Sequence, residues 1–146
     1  MQEKQIRKMA KTGIVVDIEN PERPEQPAEG GGIGCIALRG DMDALIMKEE
    51  NDLPYRSKTP YAHMCGHDGH TTCLLGIAEW LMQRKAQLPK GKRVRLLFQP
   101  AEEGLGGPRP MIEEGCLEGV DEVYGYQPQP AVLPAGNGGR AASRAR

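Results

Sequence analysis

The chain lacks any apolar run near the roughly 18 residues that a membrane-crossing helix needs, which excludes that class of architecture. Its start, MQEKQIRKMAKTG, has no apolar stretch of the kind a secretory signal carries. No basic face is present, and the formal net charge is −1, so nucleic acid is not an expected partner. The basic ends KQIRK and GGRAASRAR read as solvated tails. Aromatic residues are scarce at 4%, with one Phe and one Trp. Four cysteines, Cys35, Cys65, Cys73 and Cys116, show no framework spacing. Without a secretion signal they read as reduced thiols, and the expected compartment is the cytoplasm. Histidine is the most telling scarcity: all three in the 146 residues fall within HMCGHDGH, His63 to His70.

What is present suits one modest domain or part of a larger one. Apolar residues make up 38%, with 19 Gly and 12 Pro, so many turns are expected. Residues 2–10 suggest a short helix. GIVVDI (13–18) and IGCIALRG (33–40) are β-branched or apolar and read as buried strands, separated by a Pro- and Gly-rich loop over 19–32. KEENDLPYRSKTPYA (48–62) is polar and irregular. A helix is predicted from near Asp68 or Thr71 to about Leu88. Leu74, Ile77, Ala78 and Leu81 give it one apolar face. Asp68 or Thr71 would cap it, and Pro89 with Gly91 would stop it. RVRLLFQ (93–99) is a third strand, PMIEEG (110–115) a short helix and DEVYGY (121–126) a fourth strand. Little order is expected in the tail, 131–146. Alternating strands and helices argue for an α/β fold: a mainly parallel sheet flanked by helices. One long helix leaves that sheet incompletely covered, as in a piece of a larger domain.

Three polar clusters fall at strand ends or before the helix, where functional groups collect. They are Asp41 with Asp43 in RGDMDA, the histidine stretch, and Glu102 with Glu103 in FQPAEEG. In an extended Cys65-Gly66-His67 segment the two side chains point the same way, and Gly66 lets the backbone bend around an ion. Thiolate and imidazole suit zinc, with manganese a harder alternative. The helix start behind them would lower the thiol pKa, and Asp68 or Asp41 would orient the imidazole. Adjacent carboxylates in a turn point apart, so Glu102 and Glu103 can take two roles, one at a metal and one taking a proton from water. Plainer readings stand beside these. An EE pair before glycine is commonly a solvated loop, and DMD after a strand is commonly a cap or turn. Cys35, Cys73 and Cys116 read as small apolar residues, and Met42, Met47, Met64, Met82 and Met111 read as packing. His63 and His70 read as capping or hydrogen-bonding groups as readily as ligands.

The ordered segments ALRGDMDAL, ENDLPYRSKTPYAHMCGHDGHTTCLLGIA, VRLLFQPAEEG and MIEEGCLEGVDEVYGY resemble metallopeptidase family 20. Within it they are similar to the N-acyl-amino-acid amidohydrolases: hippurate hydrolases, aminoacylase-like enzymes and auxin-conjugate hydrolases. The resemblance runs from about Gly13 to Pro130. It implies an incomplete zinc-peptidase-like catalytic domain over residues 1–130. It also implies one or two divalent ions, manganese or zinc, and hydrolysis of the amide bond of a small N-acyl amino acid. Carried over, Cys65, His67 and Glu103 match metal ligands. Glu102 matches the general base, and Asp41 the acidic residue that supports the bridging ligand from behind.

Three departures qualify what the resemblance implies. Gln127 stands where the family has a metal-binding histidine, and Ile46 where it has a loop proline. The family's dimerisation domain and a later histidine are not within these 146 residues, so the homodimer of full-length relatives is not expected here. Impaired turnover is therefore expected. The alternative is a non-catalytic relative that binds metal or a partner without turnover. A purely structural reading, with the polar clusters as turns, is the third.

Overall fold

A computed structural model describes residues 5–22, 34–104 and 106–125. Five strands form one sheet: β1 Ile6–Met9, β2 Gly13–Glu19, β3 Cys35–Asp41, β4 Arg93–Gln99 and β5 Glu122–Gly125. Helix α1 spans His67–Arg84, and a short helix α2 spans Pro108–Glu113. The spatial order is β1-β2-β4-β3-β5. β3 runs parallel to both β4 and β5, while β2 runs antiparallel to β1 and β4. The α/β class holds, with its parallel half built by the β3-α1-β4 crossover and an antiparallel flank beside it. The strand predicted over 121–126 is present as β5 up to Gly125; its last residue and the tail, 131–146, lie outside the described residues.

The helix expected over 2–10 is instead a strand where it is described. Ala10 and Lys11 take left-handed backbone angles, φ 48 and 66, and turn the chain back on itself. Met9 then pairs with Gly13 and Ile6 with Val16. Helix-forming residues yield here because a hairpin gives their backbone a partner, and Met9 is buried in it.

Strand residues alternate between two covered faces. Val15, Ala37 and Leu97 pack with Met9, Met111 and Cys116 on the α2 side. Val16, Ile18, Leu96 and Phe98 pack with Leu74 and Leu81 of α1 on the other. Burial on both faces explains the near-continuous apolar runs of β2 and β4. The predicted face of α1 is the one used, since Ile77 and Ala78 join Leu74 and Leu81 against the sheet. Cys35 and Cys116 are buried as small apolar residues, whereas Cys73 is exposed on α1. Met42, Met82 and Met111 pack as expected, but Met47 and Met64 face solvent because the segment carrying them crosses the surface.

Two further expectations for α1 differ. Gly66, at φ 82, leads into the helix, and no side chain caps it. Thr71 instead donates its hydroxyl to the Asp41 carbonyl at 3.1 Å. The helix ends at Arg84 and tightens into a 3-10 turn, Lys85–Gln87, before Pro89 is reached.

Gly40 lets α1 close on β3. A Cβ there would lie 2.9 Å from Leu74 Cδ1 and 3.3 Å from the His70 carbonyl oxygen. In the parallel β3–β4 register Asp41 lies opposite Gln99. The loops that follow, carrying Asp43 and Glu102–Glu103, therefore leave the sheet side by side. The start of α1 is hydrogen-bonded to the first and lies against the second.

Candidate metal centre

His67 is the first residue of α1 and is 1% exposed. Its Nδ1 lies 3.0 Å from the Asp43 carbonyl oxygen and 3.2 Å from Asp43 Oδ1. Donation from Nδ1 to either oxygen leaves Nε2 as the lone-pair nitrogen, 3.7 Å from Glu103 Oε1. Cys65, His67 and Glu103 each offer a ligand atom, and these atoms lie within 4.8 Å of one another. Ligand atoms on a tetrahedral zinc are separated by about 3–4 Å, so a small closure would place all three on one ion. Thiol, imidazole and carboxylate form a donor set that fits zinc or manganese.

The close approach of Cys65 and His67 does not come from an extended strand. Gly66 in the left-handed region turns the chain, placing the thiol before the helix and the imidazole on its first turn. The thiol also behaves differently from the expectation. Its hydrogen bond to Glu103 raises its pKa, and burial and the charges of Glu103, Glu102 and Asp41 raise it further. Glu103, Glu102 and Asp41 all act in the direction opposite to that expectation.

Asp43 joins two of the clusters. Oδ1 faces the imidazole, and Oδ2 accepts the Glu103 backbone N–H at 2.9 Å. Partial burial pushes its carboxyl up. The amides of Glu103, Glu102 and Asp43 itself, with His67, outweigh that and hold it below the usual aspartate range. The sequence reading assigned the orienting role to Asp68 or Asp41. Asp41 Oδ1 is 3.8 Å from His67 Nδ1, and Asp43 is the nearer partner of that nitrogen. The D-x-D spacing was the signal: the chain bends away after β3, which swings its second aspartate over the helix start.

Asp41 is fully buried one layer back. Its Oδ1 meets His70 Nδ1 at 2.5 Å, and Oδ2 meets Arg39 Nη1 at 2.8 Å. Arg39 Nε in turn donates to Gln99 Oε1 at 2.8 Å. His70 stacks on His67, with centroids 5.6 Å apart. His70 is thus a buried member of the supporting network, while His63 is exposed. Asp41, His67 and His70 form a second convergent set of possible ligand atoms, all three buried. Glu102 is exposed in the turn beside Glu103. The backbone at Ala101, φ 52, makes the bend that carries both carboxylates. Gln127 lies outside the described residues.

A family model for peptidase family M20/M25/M40 matches residues 37–139. The chain is 47% identical over 130 residues to an N-acetyl-L-cysteine deacetylase of Bacillus subtilis, covering 88% of this chain and 29% of that protein. It is 42% identical over 125 residues to a hippurate hydrolase of Campylobacter jejuni, covering 84% and 29%. Among solved structures, a Bacillus subtilis protein described as a dinuclear metal binding peptidase from the M20 family superposes with a TM-score of 0.73 at 38% identity. That match covers 87% of this chain and 33% of the other. The chain thus spans about three tenths of the length of the curated relatives it matches. With that match spanning more than half of its length, the chain belongs to peptidase family M20/M25/M40.

Proposed function

We propose that this chain carries part of the centre for metal-dependent hydrolysis of the amide bond of small N-acyl amino acids. The observation that carries the reading is the convergence of Cys65, His67 and Glu103 around the space of one ion. Related proteins named N-acetyl-L-cysteine deacetylase and hippurate hydrolase support the substrate class. Residues 1–130 are assigned to the catalytic domain. One or two ions, zinc or manganese, would be held by Cys65, His67 and Glu103. Such an ion, when bound, supplies Lewis acidity toward an amide carbonyl and toward water.

The residues themselves divide the remaining work. Glu102, outside the ligand set but adjacent to it, accepts the proton of the attacking water and returns it to the leaving amine. Asp43 orients His67, and Asp41 with His70 and Arg39 holds the layer beneath. Neither nucleic acid nor membrane is an assigned partner. Among the described residues no helix is long and apolar enough to cross a membrane. All four cysteines are free thiols, which supports a reducing compartment such as the cytoplasm.

A second reading, metal binding without turnover, is favoured by Gln127 in place of a family histidine. Zinc and manganese titration of the purified chain separates the two. Tight binding lost in Cys65→Ala and His67→Ala, with acyl-amino-acid hydrolysis lost in Glu102→Gln, supports the enzyme. Binding without hydrolysis supports the second reading, and no binding sinks both.

A further inference from the structure

On the face of the sheet opposite α1, a cavity of about 160 Å³ lies between the strands and α2. Arg39 of β3 and Gln99 of β4 line it, and the other walls are apolar, among them Leu97, Met111, Ile112 and Val123. Gln99 is 5% exposed, yet its amide nitrogen Nε2 is buried with no hydrogen-bond partner among the described residues. The chemistry of its neighbour fixes which way that amide faces. Arg39 Nε donates to Gln99 Oε1 at 2.8 Å. A guanidinium only donates, so the atom beside it must be the amide oxygen and the far end the NH2 group. Two buried N–H donors are thus left over on a residue that lines the cavity, an arrangement that folded proteins avoid.

We propose that this cavity binds a small uncharged molecule with a compact apolar body and one carbonyl oxygen, which accepts from Gln99 Nε2. Size sets the body, since an apolar cavity of about 150 Å³ accommodates a molecule the size of benzene. A buried water needs about two to four polar partners, and here the polar groups stand among apolar walls, which suits an apolar body better than a water cluster. Charge sets the polar group. Arg39 is already paired with Asp41, Nη1 to Oδ2 at 2.8 Å. A carboxylate would bring a second buried anion to one guanidinium and leave charge uncompensated. An ammonium group would meet donors and a guanidinium. A carbonyl oxygen adds no net charge and takes up donors that otherwise stay unpaired. Ile112 is 52% exposed, so the wall it forms reaches solvent and gives the ligand a route in. The site is separate from Cys65, His67 and Glu103, and it rests neither on a metal nor on amide hydrolysis.

The test compares cyclohexanone with methylenecyclohexane, which keeps the shape without the acceptor, and with cyclohexanecarboxylate. Each is titrated by NMR into the metal-free chain labelled with ¹³C and ¹⁵N. Cyclohexanone is expected to bind saturably, to shift the methyl signals of Leu97, Met111 and Val123, and to move the Gln99 side-chain NH2 signals. Methylenecyclohexane should shift the methyl signals alone, and the carboxylate neither. Gln99→Met keeps the bulk and removes the donors. It should weaken cyclohexanone roughly fivefold and leave methylenecyclohexane unchanged, which also shows that the cavity persists. Val123→Phe, which fills the cavity from β5, should block both. No saturable binding of cyclohexanone to the unsubstituted chain would overturn the proposal, as would shifts located elsewhere or tighter binding of the carboxylate. An undiminished cyclohexanone affinity in Gln99→Met would overturn it too. So would contacts from residues 126–146 to the Met111 and Val123 methyl groups in the free chain, because the chain itself would then fill the cavity. The three titrations of the unsubstituted chain decide the matter even where a variant fails to fold.

Discussion

Asp43 does at residue scale what neither aspartate could be assigned from spacing. One carboxylate oxygen holds the His67 ring and the other holds the Glu103 amide, so one candidate ligand and the turn bearing another share one brace. Groups that orient a metal-binding imidazole typically contribute about 10–100-fold to metal affinity. Asp43→Ala is therefore expected to weaken zinc binding by about that factor while the far-UV circular dichroism stays unchanged. Isothermal titration calorimetry checks it, and an unaltered affinity would remove Asp43 from the centre. The convergence of Cys65, His67 and Glu103 was legible as a candidate because their residue types are ligand types and their motifs are distinctive. His70 was legible only as an ambiguous polar group. Its partner, Asp41, is 29 positions away, and burial of the pair depends on α1 closing on β3.

At the scale of elements, the start of α1 depends on a conformation that side chains resist. Gly66 sits at φ 82 without a side-chain cap. Adding a Cβ in the left-handed region costs about 1–2 kcal/mol. Gly66→Ala should lower thermal stability accordingly and separate Cys65 from His67, read as a fall in both Tm and zinc affinity. The start of β3 is held by a different device. Asp121 accepts the amides of Gly34 and Cys35 at 2.6 and 2.8 Å. These bonds, Cys35 first and Gly34 second, hold its carboxyl below the ordinary aspartate value. The sign follows from linkage: the bonds contribute fully above the ordinary range, near pH 4, and their contribution is lost as pH falls through the lower folded value. Urea unfolding at stepped pH should show that acid limb, and Asp121→Asn should flatten it. Strands β2, β3 and β4 were readable because long apolar runs leave few alternatives. β1 was not, because Ile6–Met9 has no strand pattern of its own and takes its conformation from pairing with β2.

Across the whole molecule, one arginine ties two strands of the sheet to the chain that packs beneath it. Arg95 is 3% exposed and bonds Asp17 through Nε at 2.6 Å and Nη2 at 2.9 Å. Its Nη1 donates to the carbonyls of Cys116 and Glu118 at 2.7 and 3.0 Å. Breaking such a buried pair by removing one partner costs about 3–5 kcal/mol. Asp17 retains some solvent and a second partner in Arg7, so Arg95→Met is expected near the lower end, about 3 kcal/mol. Chemical denaturation measures it, and a double-mutant cycle with Asp17→Asn should recover part of the loss. Nothing in the local sequence distinguished Arg95 from a solvated charge in RVRLLFQ. Its burial depends on three segments meeting.

The sequence alone determined the α/β class, the apolar face of α1 and the residue types that make candidate ligands. Those properties reside in residue type and short-range period, which survive without knowledge of partners. Tertiary structure decided which aspartate orients His67, that a left-handed glycine brings Cys65 and His67 together, and that β1 is a strand. Each of these depends on distances between segments tens of residues apart. Only the parallel β3–β4 register and the closure of α1 over Gly40 set those distances.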